Sequence, residues 1–157
     1  MPTNLHGPGD NYHPTNSHVL PALIRRFHEA AERGDACVTC WGSGTPMREF
    51  LHGDDLGQAC VFALEHWQPG PEDQQLLNVG TGVDLTIREL AEAVAAATGF
   101  QGDILWDTSK PDGTPKKQLD MSRLSTLGWQ SRIQLGDGLH TTVQDYYKSS
   151  KFNQLRL

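Results

Sequence analysis

An α/β chain with at least some parallel strand pairing is the architecture this sequence predicts, and three observations carry the prediction. Apolar residues recur at helical spacing through Val19, Leu20, Leu23, Ile24, Phe27 and Ala31 until Gly34 stops the run. Thr86-Ile87-Arg88-Glu89 spells a reciprocal N-terminal cap ahead of an alanine-rich run that ends at Gly99. Short strand-like runs alternate with these helices, a pattern that builds sheets through helical crossovers.

Taken in order, the first 16 residues read as loop. Gly7-Pro8-Gly9-Asp10-Asn11 is a turn signal and Pro14-Thr15-Asn16-Ser17 a helix entry. Pro21 is tolerated only in a first turn, so the first helix is expected to start close to His18. Residues 36–41 follow as a strand, 42–46 as a loop and 48–52 as a second short strand. Asp54 and Asp55 then cap a helix carrying Leu56, Ala59, Cys60, Ala63 and Leu64. A surface turn over 69–73 leads to a strand over 75–79 that ends in Gly80-Thr81-Gly82. Beyond the alanine-rich helix, 103–106 is a short strand, and 107–120 is polar, locally basic and punctuated by Pro and Gly. A last helix, roughly 137–148, closes the fold.

With 157 residues the chain has the size of one ordinary domain, able to bury roughly two thirds of its unfolded surface. A net charge of −6 argues against general nucleic-acid binding, while leaving room for a local basic pocket for a small anion. No apolar stretch approaches the ~20 residues of a membrane span. Met1-Pro2-Thr3-Asn4 runs straight into polar, Gly/Pro-rich sequence, so no secretory leader is expected. Cys37, Cys40 and Cys60 are odd in number, which argues for a reducing, cytoplasmic setting. Cys37-Val38-Thr39-Cys40 spells a redox or zinc half-site. On a strand, however, residues three apart face opposite sides, and no second ligand pair follows. No metal site is expected, and the cysteines read as small buried residues.

Gly80-Thr81-Gly82 lies between a strand and a helix, as a dinucleotide fingerprint requires. Leu85 stands where the third glycine belongs, so a tight turn is the plainer reading. Gly42-Ser43-Gly44 reads as a flexible loop beside a pocket. Tyr147 and Lys151 have Tyr-x-x-x-Lys spacing at a chain end expected to fray. Lys110, Lys116 and Lys117 crowd the turn Pro111-Asp112-Gly113-Thr114-Pro115, either as a pyrophosphate clasp or as solvated lysines. His18, Arg25-Arg26, Trp41 and Arg48 each have a plain alternative: a capping group, a solvated face, a core residue and half of a surface ion pair.

Longer strings resemble one family. They include Pro2-Thr3-Asn4-Leu5-His6-Gly7-Pro8-Gly9-Asp10-Asn11-Tyr12-His13-Pro14, then Asn16-Ser17-His18-Val19 and the stretch from Pro21 to Ala30. Trp41-Gly42-Ser43-Gly44-Thr45-Pro46-Met47-Arg48-Glu49-Phe50-Leu51-His52 with Asp54-Asp55-Leu56 continues the match. Asn78-Val79-Gly80-Thr81-Gly82 and the run from Asp107 to Lys117 complete it. Together these resemble the GDP-L-fucose synthases, extended short-chain dehydrogenases of the NAD-dependent epimerase/dehydratase type, essentially along the whole chain.

The resemblance implies that residues 1–157 are the C-terminal, substrate-binding half of such an enzyme. The N-terminal NADP-binding Rossmann half, with its catalytic Ser, Tyr, Lys and Cys, is expected to be absent, and this chain to be inactive alone. The family converts GDP-4-dehydro-6-deoxy-D-mannose to GDP-L-fucose with NADPH, by epimerisation at C3 and C5 and reduction at C4. By resemblance, His18 is the acid that returns a proton to the sugar, a common task for an imidazole. Arg26, Arg48 and Lys117 are implied as counter-charges for the diphosphate, with Trp41 against the nucleotide and Asp112 on the nucleotide sugar. Pro2, Thr3, Asn4 and Leu5 are implied at the nicotinamide end of the NADP(H) site. A homodimer and a complementing Rossmann half are the implied protein partners; the alternative is a non-catalytic module that binds GDP or a GDP-sugar.

Two positions depart from the family. Gly53 stands where Val is usual, which is expected to remove a buried β-branched side chain. His6 replaces a common Tyr. Without the Rossmann half, the segment near Asn78 and the 86–98 helix are expected to leave a sheet edge and an apolar face bare. The isolated chain would then be poorly soluble or partly molten.

Overall fold

A computed structural model describes residues 1–152. Among these residues, two small sheets and five helices alternate. The central strand, β3 (Met47–His52), receives β1 (Asn4–His6) in parallel along its second half, with Asn4 opposite Phe50 and His6 opposite His52. Its first half is flanked by β4 (Asp84–Thr86), antiparallel, and by β6 (Lys116–Lys117), parallel. A separate parallel pair joins β2 (Cys37–Trp41) to β5 (Asp103–Asp107), with Trp41 opposite Asp107.

Helix α1 (Val19–Arg33) starts after His18 and stops at Gly34, whose left-handed φ of 68° lets its N–H close on the last carbonyls. In α3 (Ile87–Thr98) the reciprocal cap forms as read: Thr86 Oγ1 accepts from Glu89 N–H, and the Glu89 carboxylate accepts from Thr86 N–H. Helix α5 (Leu135–Lys151) lies against both. Ile24, Phe27, Leu90, Val94, Val143 and Tyr146 form the main core among these three helices. Full burial of such side chains contributes about 1.5–3 kcal/mol each. A smaller cluster of Leu51, Ala59, Leu77, Val79, Leu124 and Trp129 lies under α2 (Gly53–His66) and α4 (Ser122–Thr126).

The structure corrects several expectations. The opening residues are not all loop, because β1 forms by pairing with β3. Residues 75–79 form no strand: only Val79 pairs, in a single bridge to Pro2. β4, β6 and α4, two to five residues long, appear where no periodic signal announces them. Helix α2 is capped by His52, whose Nδ1 accepts from Asp54 N–H at 3.2 Å. Asp55 is buried instead, accepting from the Arg132 and Ile133 amides at 3.1 and 2.9 Å. The apolar face of α3 is not bare, since α1 and α5 cover it. Bare apolar surface lies on α2, where Leu64 is 85% exposed. Gly53 is an exposed first-turn residue of α2, so no buried side chain is missing there.

Tyr147 is not frayed: its hydroxyl donates to Thr98 O at 3.0 Å and its ring meets His28. Cys37 and Cys60 are exposed and only Cys40 is buried, all three as free thiols. Cys37 and Cys40 do point to opposite faces of β2, as the strand period requires. Among the described residues, no helix is long and apolar enough to cross a membrane.

Candidate functional site

Two loops lie side by side between the two sheets. One runs from Trp41 at the end of β2 to Met47 at the start of β3. The other runs from Asp107 at the end of β5 to Lys116 in β6. Register fixes them at both ends, with Trp41 beside Asp107 and Met47 beside Lys116. Gly42 N–H donates to Asp107 O at 2.9 Å, and Met47 N–H donates to Pro115 O at 2.8 Å. In the middle, Asp112 accepts from the Ser43 amide at 2.8 Å and from its hydroxyl at 2.7 Å. These bonds, the amide first, hold the Asp112 carboxyl below the usual carboxylate range. Gly42 is required here, because a Cβ would run into the Asp112 carboxylate. The loop read as flexible is thus laced to its neighbour. Gly44 lies on the Trp106 ring, where a Cβ would stand 2.7 Å from ring carbon, and Arg88 stacks on that ring at 4.6 Å.

This lacing gathers most of the residues singled out in the sequence. Arg48 and Lys117 are register partners on adjacent parallel strands. Neighbouring strands lie about 4.8 Å apart. Among the described residues neither side chain forms an ion pair, although Lys116 binds Asp84 at 2.9 Å. Arg48 keeps one bond to Met47 O, and its Nη2 would stand 3.1 Å from a Cβ on Gly113. Gly113 therefore lets the second loop lie over the guanidinium. Trp41 is no core residue: it is 71% exposed, with Lys110 Nζ 5.7 Å from its ring centre. The Arg26 guanidinium donates to Thr39 O, two residues before Trp41.

Pro2, Thr3 and Asn4 share a cleft of about 380 Å³ with Lys117, Gln118 and Leu119. Thr3 and Asn4 both donate from their side chains to Glu49 O, at 3.1 and 2.8 Å. Leu5 lies on β1, partly exposed. His18 stays apart: it is exposed at the start of α1, about 12 Å along the helix axis from Arg26. Its side chain makes no capping bond.

The Gly80-Thr81-Gly82 turn is already filled, by a protein carboxylate. Glu49 is fully buried, and its Oε1 accepts from the Thr81 and Gly82 amides at 2.5 and 2.7 Å. A Cβ on Gly80 would collide with that carboxylate, which explains the glycine without a bound phosphate. Sequence reading passed over Glu49; an acid inside a strand, with a Gly-x-Gly turn elsewhere needing an anion, was the available signal. It also passed over the pairing of His6 with His52, whose rings meet edge to face at 5.3 Å. Burial, then the neighbouring His52, pushes the His6 pKa down to about 4. Among the described residues, no group of three or more His, Cys, Asp or Glu side chains is arranged to hold a metal.

Two laced strand-to-strand loops, two adjacent cations with no ion-pair partner among the described residues, and parallel strand pairing describe an α/β protein whose loops meet beside a basic strand pair. The description NAD dependent epimerase/dehydratase family matches residues 1–80, and the chain belongs to that family. It is 55% identical over 149 residues to GDP-L-fucose synthase 1 of Arabidopsis thaliana, a match covering 95% of this chain and 45% of that protein. It is 54% identical over 149 residues to GDP-L-fucose synthase of Escherichia coli (strain K12), covering 92% and 46% respectively. Among solved structures, a GDP-L-fucose synthetase from Naegleria fowleri bound to NADP superposes with a TM-score of 0.87 at 26% identity, covering 99% of this chain and 47% of that one. The chain spans about half the length of the relatives it matches.

Proposed function

We propose that residues 1–157 are the nucleotide-sugar-binding region of a GDP-L-fucose synthase-type enzyme, with GDP-4-dehydro-6-deoxy-D-mannose as substrate. The observation that carries this reading is the side-by-side placement of Arg48 and Lys117 with no carboxylate partner among the described residues. Two like charges on adjacent strands repel, and a diphosphate between them converts that cost into charge-assisted hydrogen bonds. Arg26 extends the positive edge, Trp41 offers a ring face to the base, and Asp112 retains lone pairs for the nucleotide sugar beyond those used by Ser43. His18 returns the proton to the epimerised carbon. Its distance from Arg26 matches a role at the sugar rather than at the diphosphate.

NADP(H) fits this chain at one end only. The cleft along Pro2, Thr3 and Asn4, with Leu5 beside it, suits the nicotinamide end. Among the described residues, the Gly-x-Gly turn that follows a strand-like segment spends its amides on Glu49. When bound, NADPH supplies a hydride to the C4 carbonyl carbon. A Rossmann-type half and a second copy of the chain are the proposed protein partners. Three free thiols support a reducing, cytoplasmic setting.

Binding without turnover by this chain alone is the second reading, and one contact favours it. Tyr147, the phenol in the Tyr-x-x-x-Lys spacing, is committed to Thr98 O and to the His28 ring. Calorimetric titration with GDP, and separately with NADPH, tests both readings. GDP is expected to bind and NADPH not, and Arg48→Ala is expected to weaken GDP by about 10- to 100-fold. Unchanged GDP affinity in a folded Arg48→Ala protein would remove the assigned pocket.

A further inference from the structure

Glu49 takes no part in the chemistry above, yet two segments that carry proposed site residues, the opening segment and the strip after Lys117, converge on it together with the 80–82 turn. Its side chain is 0% exposed, and among the described residues no cation pairs with it. Oε1 accepts from the Thr81 and Gly82 amides at 2.5 and 2.7 Å and from Thr81 Oγ1 at 3.3 Å. Oε2 faces Leu119 N–H at 3.4 Å. The backbone carbonyl of the same residue accepts from Thr3 Oγ1 and Asn4 Nδ2. One residue thus fastens the opening segment, the 80–82 turn and the strip leading out of β6. Arg48 is its chain neighbour, and Lys117 lies two residues before Leu119.

A parallel pairing as short as that between β3 and β6 depends on the contacts at its two ends, which before Lys117 are Met47 N–H on Pro115 O and the Lys116–Asp84 ion pair. It has two partner positions, Met47 with Lys116 and Arg48 with Lys117. A one-residue slip would turn Lys117 to the opposite face. Beyond that pairing the strip is held by Gln118 Nε2, which donates to Gly82 O at 2.9 Å, and by the Leu119 amide on Oε2; the Glu49 carboxylate joins both holds, because the 80–82 amides bind it.

We propose that Glu49 is a positioning residue for the nucleotide-sugar site, holding the 117–119 strip so that Lys117 stands beside Arg48 before any anion arrives. The proposal rests on the diphosphate reading of Arg48 and Lys117. A preorganised pair spares the ligand the ordering of a loose strip, so the gain appears as affinity.

Glu49→Gln is nearly isosteric and keeps an acceptor for the 80–82 amides, but sets an amide NH₂ against Leu119 N–H. Amide exchange at Leu119 is expected to quicken about tenfold without ligand. GDP affinity is expected to fall about tenfold, and Lys117→Ala, costing about tenfold in the native chain, should cost under about threefold in Glu49→Gln. A residue that only stabilises the fold would give independent, additive losses. Gly80→Ala provides a second route, displacing the carboxylate from the other side while keeping its charge, and should show the same non-additivity. Full additivity, native GDP affinity in a folded Glu49→Gln protein, or failure of both variants to fold would each overturn the proposal. If Lys117→Ala alone leaves GDP affinity unchanged, the diphosphate reading fails; the Leu119 exchange rate then decides the geometric claim by itself.

Discussion

Helices α1 and α2 are almost equal in length, 15 and 14 residues, yet they are used in opposite ways. The first buries Leu20, Leu23, Ile24, Phe27 and Ala30 against α3 and α5. The second carries Leu56, Val61, Phe62 and Leu64, but among its residues only Asp55 and Ala59 are buried. Apolar composition therefore does not decide burial; the number of elements packed around a helix does. Helix α1 lies in a three-helix layer closed by this chain's own residues. Helix α2 rests on one side of β3, with Val61 and Leu64 left in water. The residues proposed for the diphosphate and nucleotide, Arg48, Lys117, Trp41 and Asp112, lie along the seam where the β2–β5 pair of the closed layer meets the β3 sheet.

The largest test of this contrast is a pair of truncations. Phe27→Ala should cost about 3–5 kcal/mol, whereas Leu64→Ala should stay within about 0.5 kcal/mol. Urea unfolding of both variants checks this, and equal losses would erase the distinction.

Next comes acidity, because the His6–His52 pair joins the closed layer to the open one. His6 Nδ1 lies 3.3 Å from Thr142 Oγ1 of α5, and Gly138 packs directly on both rings. An unfolded histidine titrates near 6.5, while folded His6 is held at about 4. Between those values the unfolded chain binds the extra proton. Stability is therefore full above about pH 6.5 and falls as pH drops toward about 4, by on the order of 3 kcal/mol. Thermal midpoints between pH 7 and 4.5 should show this slope, and His6→Asn should remove most of it.

The smallest effect falls on α2 itself. Gly53 has an ordinary backbone and open space, the nearest atom to a new Cβ being His6 O at 3.8 Å. Gly53→Ala should stabilise by about 0.4–1 kcal/mol. A loss would show that the first turn of α2 is more crowded than its geometry implies.

What the sequence made legible follows the same division. Helix α1 was readable because its apolar stripe and terminal glycine lie within one segment, and α3 because its reciprocal cap, alanine-rich run and terminal glycine do. β1, β4 and β6 were not, since strands of two or three residues exist only through their pairing with β3. Arg48, Lys117 and Asp112 were singled out by family resemblance, and the paired loops give them a common place. His18 remains outside that network. Glu49 was hidden because its function is to satisfy backbone amides distant in sequence, and no local pattern records such a debt.

The central claim is that the two laced loops form the nucleotide site within this chain. Amide exchange on the whole chain, with and without saturating GDP, tests it most directly. Bound GDP is expected to slow exchange at Gly42, Ser43, Met47 and Leu119 and to leave the α2 amides unchanged. Protection confined to α2, or no protection and no GDP binding on a folded chain, would contradict it.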